Sequence, residues 1–199
     1  SGTMLDRDAL AALTRRAREI GAAFVSDEIY HGLHYDRPAV SALQVSDDVV
    51  VVNSFSKYFS MTGWRLGWLV VPESEIRRYE RLAQNLFICP PHASQIAALA
   101  AMDCTEELEA NRAVYAENRR LMAERLPAAG LGHFAPPDGA FYVYADVGHL
   151  LRDGADSRAL AAEILDTAGV AVTPGLDFDP ARGGRMLRLS YAASTADIA

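Results

Sequence analysis

Cysteine is scarce in this sequence: only Cys89 and Cys104 occur among 199 residues. Two cysteines at this separation form neither a disulfide framework nor the paired spacing of a metal site. The five histidines are not grouped as metal ligands are. We therefore predict two ordinary thiols in a reducing cytoplasm and no bound metal.

Long hydrophobic runs and an excess of basic residues are also absent. No apolar run reaches the length that crosses a bilayer, and no signal peptide opens the chain. The sequence has 19 Lys and Arg against 26 Asp and Glu, a formal net charge of -7. A basic groove for nucleic acid is therefore not expected. These features predict a cytoplasmic protein that binds neither membranes nor nucleic acid.

The length and composition are those of an ordinary globular protein. Half of the residues are hydrophobic and 23% are charged, so one large domain or two small ones can form around a useful core. Both ends look like cuts, because the chain enters a helix without a preceding strand and stops just after a helix N-cap at Ser194 or Thr195. We therefore expect an excerpt of a longer protein.

The first part of the chain has an α/β pattern. Residues 10–20 carry apolar side chains at helical spacing, and Gly21 can end that helix. Short, wholly apolar runs follow at residues 22–25, 49–52 and 66–71. We predict that these runs are strands buried on both faces of a sheet, although spacing alone does not decide their direction.

Helices dominate the middle of the chain. The periodicity predicts one over residues 76–86, which the two prolines at 90 and 91 break, and another over residues 94–102. A third, charge-laced pattern runs from a cap at Thr105 to about residue 126, where Pro127 and Gly130 close it. A long, two-sided helix at this position could connect two domains.

From about Leu108 onward the pattern is that of a small α+β unit. Residues 141–145 and 186–191 alternate as strands with one exposed face do. Ser157 is predicted to cap a helix that Gly169 ends, and residues 170–172 are predicted to form another strand.

The string at residues 53–68 carries the strongest chemical signal. Two hydroxyls, Ser54 and Ser56, lie next to Lys57, and Arg65 follows. Hydroxyls and an arginine fork suit a phosphate group. A lysine amine that is desolvated beside a cation is a good nucleophile towards an aldehyde. The string therefore predicts a cofactor with an aldehyde and a phosphate; a bare Ser-x-Lys would more simply be a solvated loop.

A second element is Asp27 with Tyr30, at the end of the first predicted strand. A buried aspartate can hold a ring nitrogen protonated by a charge-assisted hydrogen bond. Alternatively, Asp27 is a helix cap and Tyr30 a core aromatic. Both this element and the Lys57 string follow presumed strand ends, where open α/β sheets place ligands, so each strengthens the other.

Arg188 lies inside an otherwise apolar predicted strand. An arginine buried there without a partner is destabilising, and it could bind a substrate carboxylate through two hydrogen bonds. On local sequence alone, a structural salt bridge or a position facing water is an equal alternative.

Together, these residues resemble the class I/II aminotransferases of pyridoxal-phosphate (PLP) fold type I. The string Ser54-x-Ser56-Lys57, with Arg65 eight positions after the lysine, and the pair of Asp27 and Tyr30 carry the resemblance. It extends over essentially the whole chain through three further stretches: Ser1, Gly2 and Thr3, which resemble the tail of the family's Asn-Pro-Thr/Ser-Gly motif; Pro174, Gly175 and Phe178; and Arg188 with the two residues that follow it.

The resemblance implies a role for each matching residue. Lys57 would hold PLP as a Schiff base, Asp27 would bind the pyridine nitrogen, and Tyr30 the phenolic oxygen. Ser54 and Arg65, with Ser56 as a further candidate, would hold the phosphate, and Arg188 would bind the substrate α-carboxylate. The implied reaction moves an amino group between an amino acid and a 2-oxo acid, with the freed Lys57 amine carrying the α-proton.

The resemblance also implies the architecture. Residues 1–107 would be the second half of the three-layer α/β/α PLP-binding domain, and residues 108–199 a small C-terminal α+β domain, truncated at its end. Family members are usually homodimers with active sites at the interface. The motif's Asn and Pro, the earlier phosphate-binding loop, the residue that stacks on the cofactor ring and the N-terminal arm are not in this sequence, so we expect the 199 residues to be inactive alone.

Two other interpretations stay open. A related fold-type-I enzyme, namely a β-lyase, a decarboxylase or an acyl-transferring synthase, would share the Asp27 and Lys57 motifs. The chain could also belong to the aminotransferase-like effector domain of a transcription regulator, which a DNA-binding segment upstream would reveal.

Overall fold

The computed structural model of the chain describes residues 2–199. Ser1, and with it the first position of the proposed motif tail, lies outside the described residues. The rest forms two compact units: Met4–Arg112, and Ala113–Ala199 together with Gly2 and Thr3. The division falls inside one long helix, after Arg112, whereas the sequence placed the domain boundary after residue 107.

The chain alternates helices and strands, as an α/β protein does, and short 3-10 turns connect several of them. The first unit contains α1 (Arg7–Glu19), β1 (Val25–Asp27), β2 (Val50–Ser54), β3 (Gly67–Val70), α2 (Ile76–Leu86), α3 (His92–Ala101) and the start of α4 (Thr105–Ala128). The second contains the rest of α4, β4 (Tyr142–Asp146), α5 (Ser157–Ala168), β5 (Thr173–Pro174), β6 (Met186–Ser190) and α6 (Thr195–Ile198).

The sheet of the first unit has the order β1-β2-β3. β1 runs parallel to β2, with Asp27 opposite Val52, and β3 runs antiparallel to β2, with Gly67 opposite Ser54. The carboxyl ends of β1 and β2 and the start of β3 therefore lie at one edge of the sheet. This edge brings together the segments that the sequence singled out.

The prediction that these strands are buried on both faces is wrong for the described residues. Among the residues of β1, β2 and β3 only Val51 is buried, whereas Val25 is 57% and Leu69 49% exposed. The described sheet has three strands, so β1 and β3 each have a neighbour on one side only. One cluster of buried apolar residues, Leu10, Ala42, Val49 and Val51, packs against β2, and another consists of Phe55, Met61 and Ala98.

The helix predictions are confirmed with small differences at the ends. α1 begins where the Asp6 carboxylate accepts a hydrogen bond from the Ala9 amide at 2.8 Å, and Gly21 follows its end with φ of 68°. Pro127 does not end α4, because the helix continues through it to Ala128. A proline in the last turn costs one backbone hydrogen bond but does not prevent the following residue from keeping helical geometry.

In the second unit the strands form an antiparallel sheet in the order β4-β6-β5. The α5 cap is Asp156, whose carboxylate accepts from two backbone amides, and the prediction of Ser157 is wrong. The Ser157 hydroxyl instead donates to the Gly183 carbonyl at 2.7 Å and is therefore engaged elsewhere. The predicted strand at 170–172 is also displaced to Thr173–Pro174, because the ladder with β6 forms only there. The caps at Gly169 and Ser194 are confirmed.

Candidate active site

Three candidate segments meet at one edge of the first unit's sheet. Asp27 is the last residue of β1, Ser54 is the last residue of β2, and Arg65 stands two positions before β3. Parallel strands end on the same side, and β3 runs back from that side. The edge is therefore the one at which open α/β sheets bind ligands.

Lys57 and Tyr30 lie close together at this edge. The Lys57 ammonium nitrogen is 5.5 Å from the centroid of the Tyr30 ring, and both side chains are half-buried. Tyr30 is in the turn after β1 and Lys57 in the loop after β2, so the sheet topology accounts for their approach. Lys57 is also the only lysine in the sequence, a signal that the motif-based reasoning did not use.

The hydroxyls of Ser54 and Ser56 form a compact pair. Their Oγ atoms are 2.9 Å apart, and the Ser56 amide donates to the Ser54 Oγ at 3.0 Å. The Ser54 hydroxyl is also 3.2 Å from the Leu66 carbonyl oxygen, just after Arg65. This pairing ties the end of β2 to the chain that enters β3, and it offers two hydroxyls within reach of one anion.

Arg65 is held in a left-handed backbone conformation with φ of 52°. One guanidinium nitrogen donates to the Thr62 carbonyl at 3.0 Å, and the Thr62 hydroxyl donates to the Ser56 carbonyl at 2.6 Å. Ser60 in the same loop also has a positive φ, 56°. Such conformations cost about 1–3 kcal/mol each for residues other than glycine and cluster at ligand sites. The remaining Arg65 donors face solvent and could bind phosphate.

Asp27 is exposed, contrary to the prediction of a buried aspartate. One of its oxygens accepts a hydrogen bond from the Ile29 amide at 3.2 Å, so it stabilises a turn and does not cap a helix. The buried carboxylate here is that of Glu28, the residue directly after β1, which is 4% exposed. No ion pair engages Asp27 within residues 2–199, which leaves its second oxygen open to a ligand.

Glu28 is a structural residue that the sequence analysis missed. Its Oε1 accepts hydrogen bonds from the Ala42 amide at 2.7 Å and the Ser26 hydroxyl at 3.0 Å. Its Oε2 lies 3.2 Å from the His31 Nδ1. These contacts fix the turn that carries Tyr30. The available signal was the presence of two adjacent carboxylates, Asp27 and Glu28, since a buried position could have been expected for either of them.

Arg188 belongs to the second unit, where β6 pairs it with Tyr144 and Thr173. Its guanidinium carbon is 4.7 Å from the Phe178 ring centroid and 5.5 Å from that of Tyr142. One nitrogen is 3.4 Å from the Thr173 hydroxyl. Among the described residues no carboxylate pairs with Arg188, so the alternative of a structural salt bridge is not supported.

Three further features of residues 2–199 concern other kinds of site, namely a ligand-binding groove, a metal centre and a membrane span. An apolar groove of about 680 Å³ lies between β3 and α2, but none of the candidate cofactor residues lines it. No cluster of three or more potential metal ligands occurs in this part of the chain. None of its helices has both the length and the apolar character needed to cross a bilayer.

The residues at the sheet edge fit the cofactor that the resemblance implies. They combine one amine, a pair of hydroxyls with an arginine, and a carboxylate with an open oxygen, each suited to a different group of PLP. Two left-handed residues hold the loop between them. This donor set matches an aldehyde, a phosphate and a ring nitrogen.

The sequence model of the family described as aminotransferase class I and II matches residues 1–198. The chain belongs to this family, as the motifs predicted. A curated relative, valine–pyruvate aminotransferase of Mycobacterium tuberculosis, is 47% identical over all of this chain and 51% of its own length. The aspartate/prephenate aminotransferase of Thermus thermophilus is 36% identical over 100% of this chain and 51% of its own.

Solved structures agree with this assignment. An aminotransferase from Mycobacterium tuberculosis superposes with a TM-score of 0.94 at 47% identity, covering 100% of this chain and 51% of the other. A Silicibacter pomeroyi protein, itself assigned only provisionally as an aminotransferase, has a TM-score of 0.95 at 65% identity and covers 100% and 53%. The chain thus spans about half the length of the relatives it matches.

Proposed function

We propose that the intact protein containing this chain is a PLP-dependent aminotransferase that moves an amino group between an amino acid and a 2-oxo acid. The observation that carries the proposal is the approach of Lys57, the only lysine, to Tyr30 beside the Ser54–Ser56 hydroxyl pair. Family membership supports the same reaction class. The named relatives act on different amino acids, so the preferred substrate is not part of the proposal.

Each residue at the sheet edge has a distinct part in the proposal. When bound, PLP supplies an aldehyde that joins amines and a protonated ring that accepts electrons. Lys57 would hold the cofactor through its Nζ, and its free amine would act as a general base towards the α-proton of the substrate. Tyr30, whose ring lies beside that Nζ, would donate a hydrogen bond from its hydroxyl to the phenolic oxygen.

Binding of the two ends of the cofactor is assigned to Asp27 and to the phosphate ligands. Asp27 would accept a hydrogen bond from the protonated ring nitrogen, for which its second carboxylate oxygen is open. Ser54, Ser56 and Arg65 would donate to the phosphate. Arg65 keeps donors beyond the one that binds the Thr62 carbonyl.

Arg188 is assigned to the substrate α-carboxylate. The two aromatic rings restrict the guanidinium group without using its N–H donors. One nitrogen contacts the Thr173 hydroxyl at 3.4 Å, and the remaining donors are available for a bidentate pair. We also propose that the intact protein is a cytoplasmic homodimer; the family resemblance supports the dimer, and the two free cysteines fit a reducing compartment.

The test uses the intact parent protein saturated with PLP, reduced with borohydride and digested for peptide mass mapping. Because this chain has one lysine, a pyridoxyl group on any lysine within these 199 residues must be on Lys57. We expect that label, and we expect Lys57→Ala to lose both the label and turnover. A label confined to lysines outside this chain would contradict the assignment.

Product analysis separates the related enzyme classes. The parent is incubated with a panel of amino acids, with and without 2-oxoglutarate. An aminotransferase forms glutamate, and more than one equivalent of 2-oxo acid per active site, only when the acceptor is present. Release of ammonia or carbon dioxide without an acceptor would instead indicate a lyase or a decarboxylase.

A further inference from the structure

One turn of α4 is attached to both loops of the candidate site. Tyr58 follows Lys57 in the sequence, and its hydroxyl donates a hydrogen bond to the Glu109 Oε1 at 2.7 Å. The other Glu109 oxygen pairs with Arg112, which lies one turn further along the helix. Arg112 in turn donates to the His34 carbonyl at 3.3 Å, four residues after Tyr30. A continuous chain of polar contacts therefore runs from the lysine loop to the tyrosine turn.

The Tyr58 ring provides a second connection between the same two loops. Gly32 has φ of 96°, and a Cβ on it would lie 2.4–2.9 Å from atoms of the Tyr58 ring. Only glycine can therefore accept this close approach with this backbone conformation. The ring of Tyr58 thus rests directly on the backbone of the turn that carries Tyr30.

We propose that Tyr58, Glu109 and Arg112 are positioning residues that set Lys57 against Tyr30. The inference rests on the proposed function, because the position of Lys57 matters only if its amine reacts. Tyr58 is the covalent neighbour of Lys57, and Gly32 is two residues from Tyr30. A rigid link between these neighbours limits how far the Lys57 Nζ can move from the Tyr30 ring.

The protonation state of Tyr58 suits this link. Burial, and then the hydrogen bond to Glu109, raise the pKa of Tyr58 above its ordinary value. The phenol therefore remains protonated at neutral pH and can donate to the carboxylate.

Another ion pair on the same helix gives a matched control. Glu117 and Arg120 are also three residues apart, at 2.7 Å, but neither side chain binds a loop of the site. If Glu109 and Arg112 only stabilised the helix, removing either glutamate would have the same small effect.

The test compares wild type, Tyr58→Phe, Glu109→Ala, Glu109→Gln and Glu117→Ala in the intact parent. The first measurement needs no cofactor: it is the rate at which an acylating reagent modifies Lys57 in the cofactor-free protein, followed by peptide mass. The second is kcat and KM of the loaded enzyme, and the third is the melting temperature.

We expect Tyr58→Phe and Glu109→Ala each to change the Lys57 modification rate severalfold and to lower kcat on the order of tenfold, with KM nearly unchanged, because small misplacements of a reacting group are costly. A further protein that combines Tyr58→Phe with Glu109→Ala should have a kcat no lower than that of the less active single variant, since both substitutions break the same link. Glu109→Gln, which keeps an oxygen acceptor for Tyr58, should recover part of the loss. Glu117→Ala should match wild type.

Rates within twofold of wild type for Tyr58→Phe and Glu109→Ala would overturn the positioning role, whatever their melting temperatures. A fall in kcat shared equally by Glu117→Ala would also overturn it. The proposed function fails separately, through a borohydride label outside Lys57, so the two failures are distinguishable.

Discussion

The guanidinium carbon of Arg188 lies 4.7 Å from the centroid of the Phe178 ring, and no carboxylate within residues 2–199 pairs with it. The ring restricts the guanidinium group, and the donors other than the one that contacts the Thr173 hydroxyl stay open. If Arg188 binds the substrate, its removal should impair substrate binding. If it formed a structural salt bridge, its removal should impair folding instead.

Arg188→Leu in the intact protein should raise KM for the amino acid and lower kcat/KM, with cofactor absorbance largely intact. A desolvated bidentate pair to a carboxylate is worth roughly 2–5 kcal/mol, and each ~1.4 kcal/mol is tenfold in kcat/KM. Steady-state kinetics checks this, with Arg188→Lys as the control that keeps the charge but loses the fork. A variant that misfolds while its soluble fraction keeps wild-type kinetics would instead assign Arg188 a structural role.

Asp27→Asn should leave cofactor attachment nearly normal and lower kcat strongly. A neutral amide cannot stabilise a protonated ring nitrogen as a carboxylate does, so the barrier to proton removal should rise by several kcal/mol. Absorbance titration with PLP and single-turnover kinetics measure the two effects separately. Turnover close to that of wild type would show that the exposed Asp27 has no such role.

Glu28→Ala should destabilise the protein rather than change its chemistry directly. The substitution leaves the buried Ala42 amide without its acceptor, and an unsatisfied buried donor costs about 1–3 kcal/mol. Urea unfolding of the parent should show this loss. Glu28→Gln, which retains an oxygen acceptor, is the control and should lose less; equal stability of Glu28→Ala and wild type would refute the role.

Gly32→Ala should destabilise more than Gly21→Ala, although both glycines have a positive φ, 96° and 68°. A Cβ at Gly21 meets nothing within 4 Å, so that variant reports the backbone strain alone. A Cβ at Gly32 collides with the Tyr58 ring, and overpacking adds typically 1–3 kcal/mol. The difference between the two unfolding free energies isolates this contact, and no difference would mean that the ring moves away freely.

The 199 residues alone should be far less active than the intact parent. Both outer strands of the first unit's sheet lack a second neighbour among the described residues, and such edges favour pairing with other chains. The chain spans about half the length of the curated relatives it matches, and the family resemblance implies that further cofactor-binding residues lie outside this half. Both proteins are saturated with PLP and compared in transamination assays. Fragment activity within tenfold of the parent would contradict this expectation.

Most elements were predictable from local patterns. The helical spacing of residues 10–20 and 76–86 matches α1 and α2, because apolar residues that recur about every 3.6 positions form one face of a helix and fit few other structures. The Gly169 and Ser194 caps follow from backbone geometry that depends on neighbouring residues only. The wrong predictions concern elements whose structure depends on residues far away in the sequence. β5 begins at Thr173 because β6 pairs with it there. Ser157 does not cap α5 because its hydroxyl donates a hydrogen bond to the Gly183 carbonyl.

The motifs were sufficient to identify the family, because the Lys57 string and the pair of Asp27 and Tyr30 are specific in combination, and the family comparison agrees. The contacts between distant residues could be read only from the folded chain. Asp27 is exposed at the end of β1, whereas Glu28, the next residue, is buried because its carboxylate accepts hydrogen bonds from the Ala42 amide and the Ser26 hydroxyl. Folding also attaches Tyr58 to Glu109, 51 residues away, a contact that local patterns cannot encode because α4 reaches that loop only after the chain has folded.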